Sequence, residues 1–215
     1  MNLIFLGAPG SGKGTQAEIL EKEKGLIKLS TGDMLRAAVA AGTPLGKAAQ
    51  AIMEKGELVS DEIMIGMIRD RISHSDCRRG FILDGFPRTV AQAVALDEML
   101  LDACGSKITR VIEITVNEEV LIERVCGRFS CAKCGTGYHD KFKMPKVANT
   151  CDNCGSHEFI RRKDDNAETV RTRLAAYHRQ TEPLKPYYEK QGLLVAVDGM
   201  QDIAKVTAQI HELAA

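Results

Sequence analysis

A glycine-rich run between a short apolar strand and a helix constrains this chain more than any other segment. Asn2-Leu3-Ile4-Phe5-Leu6 is too short for a helix and stops at Gly7-Ala8-Pro9-Gly10-Ser11-Gly12-Lys13-Gly14-Thr15-Gln16. This is G-x-x-x-x-G-K in a strand–loop–helix setting, the P-loop pattern. Its glycines let backbone N–H groups converge on phosphate oxygens at a helix N-terminus, where the dipole favours negative charge. Gly10, Ser11, Gly12, Lys13, Gly14 and Thr15 form the predicted cradle, with Lys13 placed to bridge β- and γ-phosphates. Position 14 is Gly rather than Ser or Thr, so the usual magnesium-ligating hydroxyl is missing. Mg²⁺ is therefore expected to be held through water and substrate oxygens, because it dehydrates reluctantly.

A second strand has a matching end. Phe81-Ile82-Leu83-Asp84 is apolar and closes on a carboxylate, which puts Asp84 at the carboxyl edge of a sheet, placed to orient magnesium-bound water. Gly85-Phe86-Pro87-Arg88 then forms a rigid turn that projects Arg88 into the same crevice. Further apolar segments at 27–29, 110–116 and 193–197 read as strands, each bounded by turn residues. Helical stretches alternate with them. Ser30-x-x-Asp33 and Thr89-x-x-Gln92 read as capping boxes or variants of one, Ser60 precedes Met64, Ile68 and Ile72, and Asp165-x-x-Glu168 precedes Val170, Leu174 and Tyr177. A last helix over about 202–213 aligns Val206, Ile210 and Leu213. The pattern predicts an α/β fold: a five-stranded parallel sheet flanked by helices, with right-handed crossovers.

Twenty-nine Lys and Arg balance 29 Asp and Glu among 215 residues, so net charge is zero. That argues against a general nucleic-acid or membrane-surface binder, and any phosphate-binding field must come from local clustering. No apolar run approaches the roughly 18–20 residues of a membrane span, and the N-terminus lacks a basic leader. The expectation is a cytoplasmic protein.

Two stretches break the alternation. Residues 30–59 read as helices around a Gly42-Thr43-Pro44 turn. Residues 128–164 contain few large aliphatics but two pairs, Cys131-Ala132-Lys133-Cys134 and Cys151-Asp152-Asn153-Cys154, each followed by glycine. Such an insert cannot bury enough apolar surface to fold alone. Two C-x-x-C knuckles match a four-thiolate structural zinc site, whose binding energy is then folding energy; two redox pairs are the competing reading. Cys77, Cys104 and Cys126 read as packing residues.

Arginines cluster around the predicted crevice. The four-residue spacing predicts that Arg124 and Arg128 share a helix face, where like charges repel unless an anion offsets them. Arg162 and Arg173 extend the set on one side, Arg36 and Arg88 on the other. Guanidinium fits phosphate bidentately and stays charged, so the cluster suggests a clamp for a second phosphate group opposite the P-loop.

At this point the motifs resemble those of bacterial adenylate kinases of the long form with a zinc-bearing lid, over essentially the whole chain. The resemblance rests on Gly7–Thr15, Ser30-Thr31-Gly32-Asp33-Met34-Leu35-Arg36, Asp84-Gly85-Phe86-Pro87-Arg88-Thr89 with Gln92, Gly127-Arg128, Arg162-Lys163-Asp164-Asp165 and Arg171-Thr172-Arg173-Leu174. It implies the P-loop nucleoside monophosphate kinase fold. Residues 1–29, 60–127 and 166–215 would form the core, 30–59 an AMP-binding insert and 128–165 the lid. It implies the reaction ATP + AMP ⇌ 2 ADP, with Mg²⁺ accompanying ATP, zinc in the lid, and a monomer that engages neither nucleic acid nor membrane.

Carried over by position, the AMP site would comprise Thr31, Arg36, Glu57, Leu58, Val59, Gly85, Phe86, Pro87, Arg88 and Gln92. The ATP site would comprise Gly10 to Thr15, Arg128, and the backbone at Gly137, Tyr138 and Gln201, with Arg124 by the adenine. Arg162 and Arg173 would bridge both phosphate groups during transfer, and Cys131, Cys134, Cys151 and Cys154 would hold zinc. Lys13, Asp84, Arg88, Arg128, Arg162 and Arg173 would be the catalytic set, with no general base, because a phosphate oxygen of AMP is already ionised. Two rivals stand beside this reading. A UMP/CMP- or GMP-type kinase would share the motifs, although Thr31 within Ser-Thr-Gly-Asp-Met favours AMP by resemblance. A zinc-ribbon P-loop ATPase acting on nucleic acid would need interleaved aromatics, and the chain has no Trp, four Tyr and six Phe.

Overall fold

Alternating burial along the first strand sets the layers. β1 (Asn2–Leu6) sends Leu3 and Phe5 to one side and Ile4 and Leu6 to the other, all at most 4% exposed. The computed structural model describes residues 1–214; the side chains of 103 and 104 are not among them, so the packing role expected of Cys104 lies outside the described residues.

The P-loop leads from β1 into α1 (Lys13–Lys24), followed by β2 (Ile27–Ser30), α2 (Thr31–Ala40), α3 (Pro44–Glu54) and α4 (Asp61–Ile72). A 3₁₀ turn then enters β3 (Phe81–Asp84), and α5 (Val90–Cys104), β4 (Arg110–Thr115) and α6 (Glu118–Cys126) follow. Next come β5 (Arg128–Cys131), β6 (Gly137–His139), β7 (Phe159–Ile160), α7 (Ala167–Ala176) and a π turn over 177–181. α8 (Leu184–Glu189), β8 (Leu194–Asp198) and α9 (Ile203–Leu213) complete the chain. β2-β3-β1-β4-β8 form one sheet, parallel at every pairing, with Phe5 opposite Asp84 and Leu6 opposite Glu113. The five expected strands are these, shifted by one residue at some ends. On one face Leu3, Phe5 and Ile82 pack against Ala17 and Leu20 of α1 and Val206 and Ile210 of α9. On the other, Ile4 and Leu83 meet Met64, Ile68 and Ile72 of α4 and Leu96 and Leu100 of α5.

In the first insert, Thr43 caps α3 by accepting from the Gly46 N–H at 3.0 Å, and Pro44 opens the helix. Gly46 is required by proximity, because a Cβ there would lie 2.1 Å from the Ala38 carbonyl oxygen of α2. Ser30 and Thr89 cap their helices through the N–H groups of Asp33 and Gln92, as their spacing predicts. Two start signals do not act through their side chains. Ser60 makes no side-chain cap bond. The capping side chain of α7 is Asn166, which accepts from the Thr169 N–H at 2.9 Å, while Asp165 turns away to meet Arg128. Tyr177, expected on the α7 face, lies in the π turn. Arg128, expected on the helix face of Arg124, opens β5 instead, because α6 ends at Cys126 with Gly127 as its C-cap.

The second insert is organised by its own antiparallel sheet, β6-β5-β7. Phe129 stacks on Tyr138 at 5.7 Å between ring centroids, and Phe159 packs edge-on against both at 5.4 and 5.6 Å.

Candidate nucleotide site and metal centre

The predicted phosphate cradle is an uncapped helix end. Gly12 occupies the N-cap of α1 at φ +104°, a left-handed conformation that a Cβ would strain, and among the described residues no side chain makes a cap hydrogen bond to this helix end. Lys13 Nζ donates back to the carbonyl oxygens of Gly7 at 2.7 Å and Ala8 at 3.0 Å. Burial lowers the Lys13 pKa to about 8, Asp84 opposes that shift, and the charges of Arg88, Arg173 and Arg128 add to it. Three guanidinium groups therefore act on the P-loop lysine. Asp84 faces the same helix end: a Cβ added at Gly14 would lie 3.4 Å from its Oδ2.

Each arginine of the set has a hydrogen-bond partner within the protein. Arg36 donates to Asp33 Oδ1 at 2.6 Å, and Arg162 reaches the same oxygen at 3.2 Å across 129 residues of sequence, joining the loop after β7 to α2. Burial would raise the Asp33 carboxyl, but Arg36, Arg162 and Lys28 hold it down at about 2. Arg128 forms a two-pronged pair with Asp165, whose side chain is 2% exposed. Burial disfavours the Arg128 charge, yet the Asp165 carboxylate outweighs it and raises the pKa. Arg173 donates to Asp164 Oδ2 at 2.8 Å. Burial lowers both Arg162 and Arg173 to about 10, and neighbouring arginines add to the effect. Arg88 instead uses Nε to donate to the Gly85 carbonyl oxygen at 2.8 Å, and burial lowers its pKa as well. This is a set of like charges held close together at a desolvation cost, an arrangement suited to polyanions.

Beside it lies an open cavity, whose walls include Arg36, Arg88, Gln92 and Arg173 and the 57–59 loop. Its apolar lining of Leu35, Met53 and Met64 was not among the expected site residues. Thr31, Gly85 and Arg88 adjoin it as a group, with Thr31 Oγ1 donating to the Gly85 carbonyl oxygen at 2.9 Å. Phe86 is buried, and Pro87 follows it through a cis bond.

On the other side, Arg124 donates to the Gly199 carbonyl oxygen at 3.0 Å and lies 5.8 Å from the Phe142 ring centroid. That brings it to the 199–201 stretch, where the Gln201 side chain contacts Gln209 at 3.5 Å. Gly137 and Tyr138 lie on β6 opposite Ser130 and Phe129. The Tyr138 side chain turns into the lid, its hydroxyl accepting from the Asp152 N–H at 2.7 Å and donating to Cys151 Sγ at 3.4 Å. The Tyr138 hydroxyl is thereby occupied within the knuckle region.

The four knuckle cysteines converge. Their sulfurs all lie within 4.8 Å of one another, with Cys131–Cys154 and Cys134–Cys151 each at 3.5 Å. A tetrahedral Zn²⁺ with Zn–S near 2.3 Å sets its sulfurs roughly 3.8 Å apart, whereas a disulfide needs about 2.05 Å. The spacing fits four thiolates around one metal ion. The two knuckles repeat one backbone pattern: Gly135 N–H to Cys131 O at 3.0 Å and Cys131 N–H to Thr136 O at 3.0 Å, matched by Gly155 to Cys151 at 2.9 Å and Cys151 to Ser156 at 2.9 Å.

The carboxylates that hold the arginines were legible only in part. Asp33, Asp164 and Asp165 stand inside quoted motifs but gave no local sign of their partners. Asp61, which accepts from Thr89 Oγ1 at 2.9 Å and Gln92 Nε2 at 2.7 Å, reads in sequence only as an acid in a first helical turn.

Comparison with known proteins agrees with this geometry. Residues 5–193 match the family model described as adenylate kinase. The chain is 58% identical over 211 residues to an adenylate kinase of Paramagnetospirillum magneticum, covering 98% of this chain and 97% of that one. It is 57% identical over 210 residues to one from Rhizorhabdus wittichii, at 98% and 97% coverage. It is also 54% identical over 215 residues to one from Novosphingobium aromaticivorans, at 100% and 99% coverage.

Proposed function

The chain belongs to the adenylate kinase family, and from that premise we propose how its residues divide the work of ATP + AMP ⇌ 2 ADP. The observation that carries the reading is the convergence of Arg88, Arg128 and Arg173 on the field of the P-loop lysine, next to a cavity with apolar walls and one buried amide. ATP phosphates sit on the Gly10–Thr15 amides and Lys13, with Arg124 and the main chain at 137–138 and 199–201 toward its adenine. AMP enters the cavity, its base among Leu35, Met53, Leu58, Val59 and Met64 and its phosphate on Arg36 and Arg88. Arg128, Arg162 and Arg173 span the gap between the two.

The attacking oxygen belongs to an ionised phosphate, so no residue removes a proton. Catalysis is alignment plus neutralisation of charge spread over the transferring phosphoryl group. Mg²⁺ arriving with ATP supplies part of that neutralisation. Asp84, beside a Gly14 that offers no hydroxyl, suits contact with its water shell rather than direct ligation. Residues 30–59 and 128–165 are the moving inserts, which shut water out of the transfer. Zn²⁺ on the four cysteines supplies a cross-link, and the lid residues carry the chemistry.

A coupled assay of ADP formation from ATP and AMP, with metal analysis of the same sample, tests the reading. ADP formed in a 2:1 ratio to AMP consumed, with one zinc per chain, is the expected result. ATP hydrolysis independent of any monophosphate would overturn it, as would preferential phosphorylation of UMP or GMP in an acceptor panel.

A further inference from the structure

Gln92 is 1% exposed and is one of the residues that line the cavity. A carboxamide is nearly symmetric in shape but not in chemistry, so a half-turn exchanges its donor and its acceptor. Here both ends are fixed by groups that cannot change role. The Arg88 backbone N–H, which can only donate, gives its hydrogen to Gln92 Oε1 at 2.7 Å. The Asp61 carboxylate accepts from Gln92 Nε2 at 2.7 Å. Asp61 is itself oriented, because its other oxygen accepts from Thr89 Oγ1 at 2.9 Å. That threonine in turn caps the Gln92 N–H at 3.2 Å.

We propose that Asp61 is a positioning residue that sets the purine specificity of the acceptor site by holding the Gln92 carboxamide in one flip state. The inference rests on the acceptor-site reading above. After its two anchoring bonds the carboxamide keeps one lone pair on Oε1 and one N–H on Nε2. An acceptor beside a donor pairs with an edge that offers a donor beside an acceptor, which is the 6-amino group and N1 of adenine. Hypoxanthine and guanine present the reverse, an oxygen at position 6 and a hydrogen on N1. With the phosphate held by arginines the base cannot turn over, so the carboxamide would have to. A flipped Gln92 would set N–H against the Arg88 N–H and oxygen against the Asp61 carboxylate, both in a buried place where unpaired polar groups are costly.

Asp61→Asn tests this, since asparagine can offer either a donor or an acceptor to Gln92 at unchanged size. The expected result is a KM for AMP raised about tenfold and an AMP-to-IMP ratio of kcat/KM narrowed by about tenfold or more, with the KM for ATP unchanged. A merely structural role would lower AMP and IMP efficiencies in step, and an unchanged ratio overturns the proposal. Side-chain amide NMR of Gln92 gives a readout independent of turnover. One of its two N–H signals, held by a carboxylate, should resist exchange in the unsubstituted protein and lose that protection in the variant. If the unsubstituted protein makes no ADP from AMP, the acceptor-site reading fails. The Asp61 contact is then judged on the amide signal, and an unprotected signal would overturn it.

Discussion

The central sheet and the lid sheet are both made of short strands, yet they are held by different forces. In the central sheet, Leu3, Ile4, Ile82, Leu83, Val111 and Ile112 are fully buried between two helical layers, so area removed from water stabilises it. In the lid, three strands of two to four residues enclose Phe129, Tyr138 and Phe159, and four sulfurs close together at the edge of that cluster. A layer with helices on both faces can be steadied by packing alone. A layer with one small aromatic cluster needs a cross-link that does not depend on area.

Removing the cross-link should produce the largest contrast. Structural Zn²⁺ contributes apparent folding energy of roughly 10–16 kcal/mol in small domains, so chelation should unfold the lid while the central sheet stays folded. Hydrogen exchange would show protection lost over 128–160 and kept over β1, β3 and β4, with turnover reduced. Lid amides that stay protected without metal would show that the aromatic cluster suffices and would break the contrast.

Ile82→Ala probes the other side. Truncation at this fully buried position should cost about 2–5 kcal/mol of global stability, read as a lower urea midpoint, with zinc content unchanged. The core also holds a charge against its surroundings. Burial favours the neutral amine of Lys13, so its charge is lost as pH rises past about 8 rather than past the usual lysine range. The kcat/KM for ATP should therefore fall about tenfold per unit above that pH, and a flat profile to pH 10 would contradict the environment described. Tyr138→Phe is the mildest test. It removes the hydroxyl that accepts from Asp152 N–H and donates to Cys151 Sγ, and should lower lid stability by about 1 kcal/mol, seen as faster exchange in the second knuckle only.

The same contrast explains what could be read before the structure. Strand length, helical spacing at Met64, Ile68 and Ile72, and the Gly-rich turn are local, and they placed the core layers within about a residue. The cysteine spacing is local too, so the sulfur cluster was legible. The lid sheet was not, because strands as short as Phe159–Ile160 carry no alternation to detect. Nor were the arginine partners, because a pair such as Arg162 with Asp33 depends on how two inserts meet in space. Asn166 took the cap expected of Asp165 for the same reason: Asp165 was needed by Arg128, 37 residues away.

Asp33, Asp164 and Asp165 give Arg36, Arg162, Arg173 and Arg128 somewhere else to go. On the proposed division of work, a nucleotide would have to outcompete these carboxylates on arrival, which would cap how tightly it is held. On departure the carboxylates would reclaim the guanidinium groups, so the exit of ADP would be assisted from inside the protein. The acids beside the arginines would then act as a spring toward release, with affinity traded for throughput.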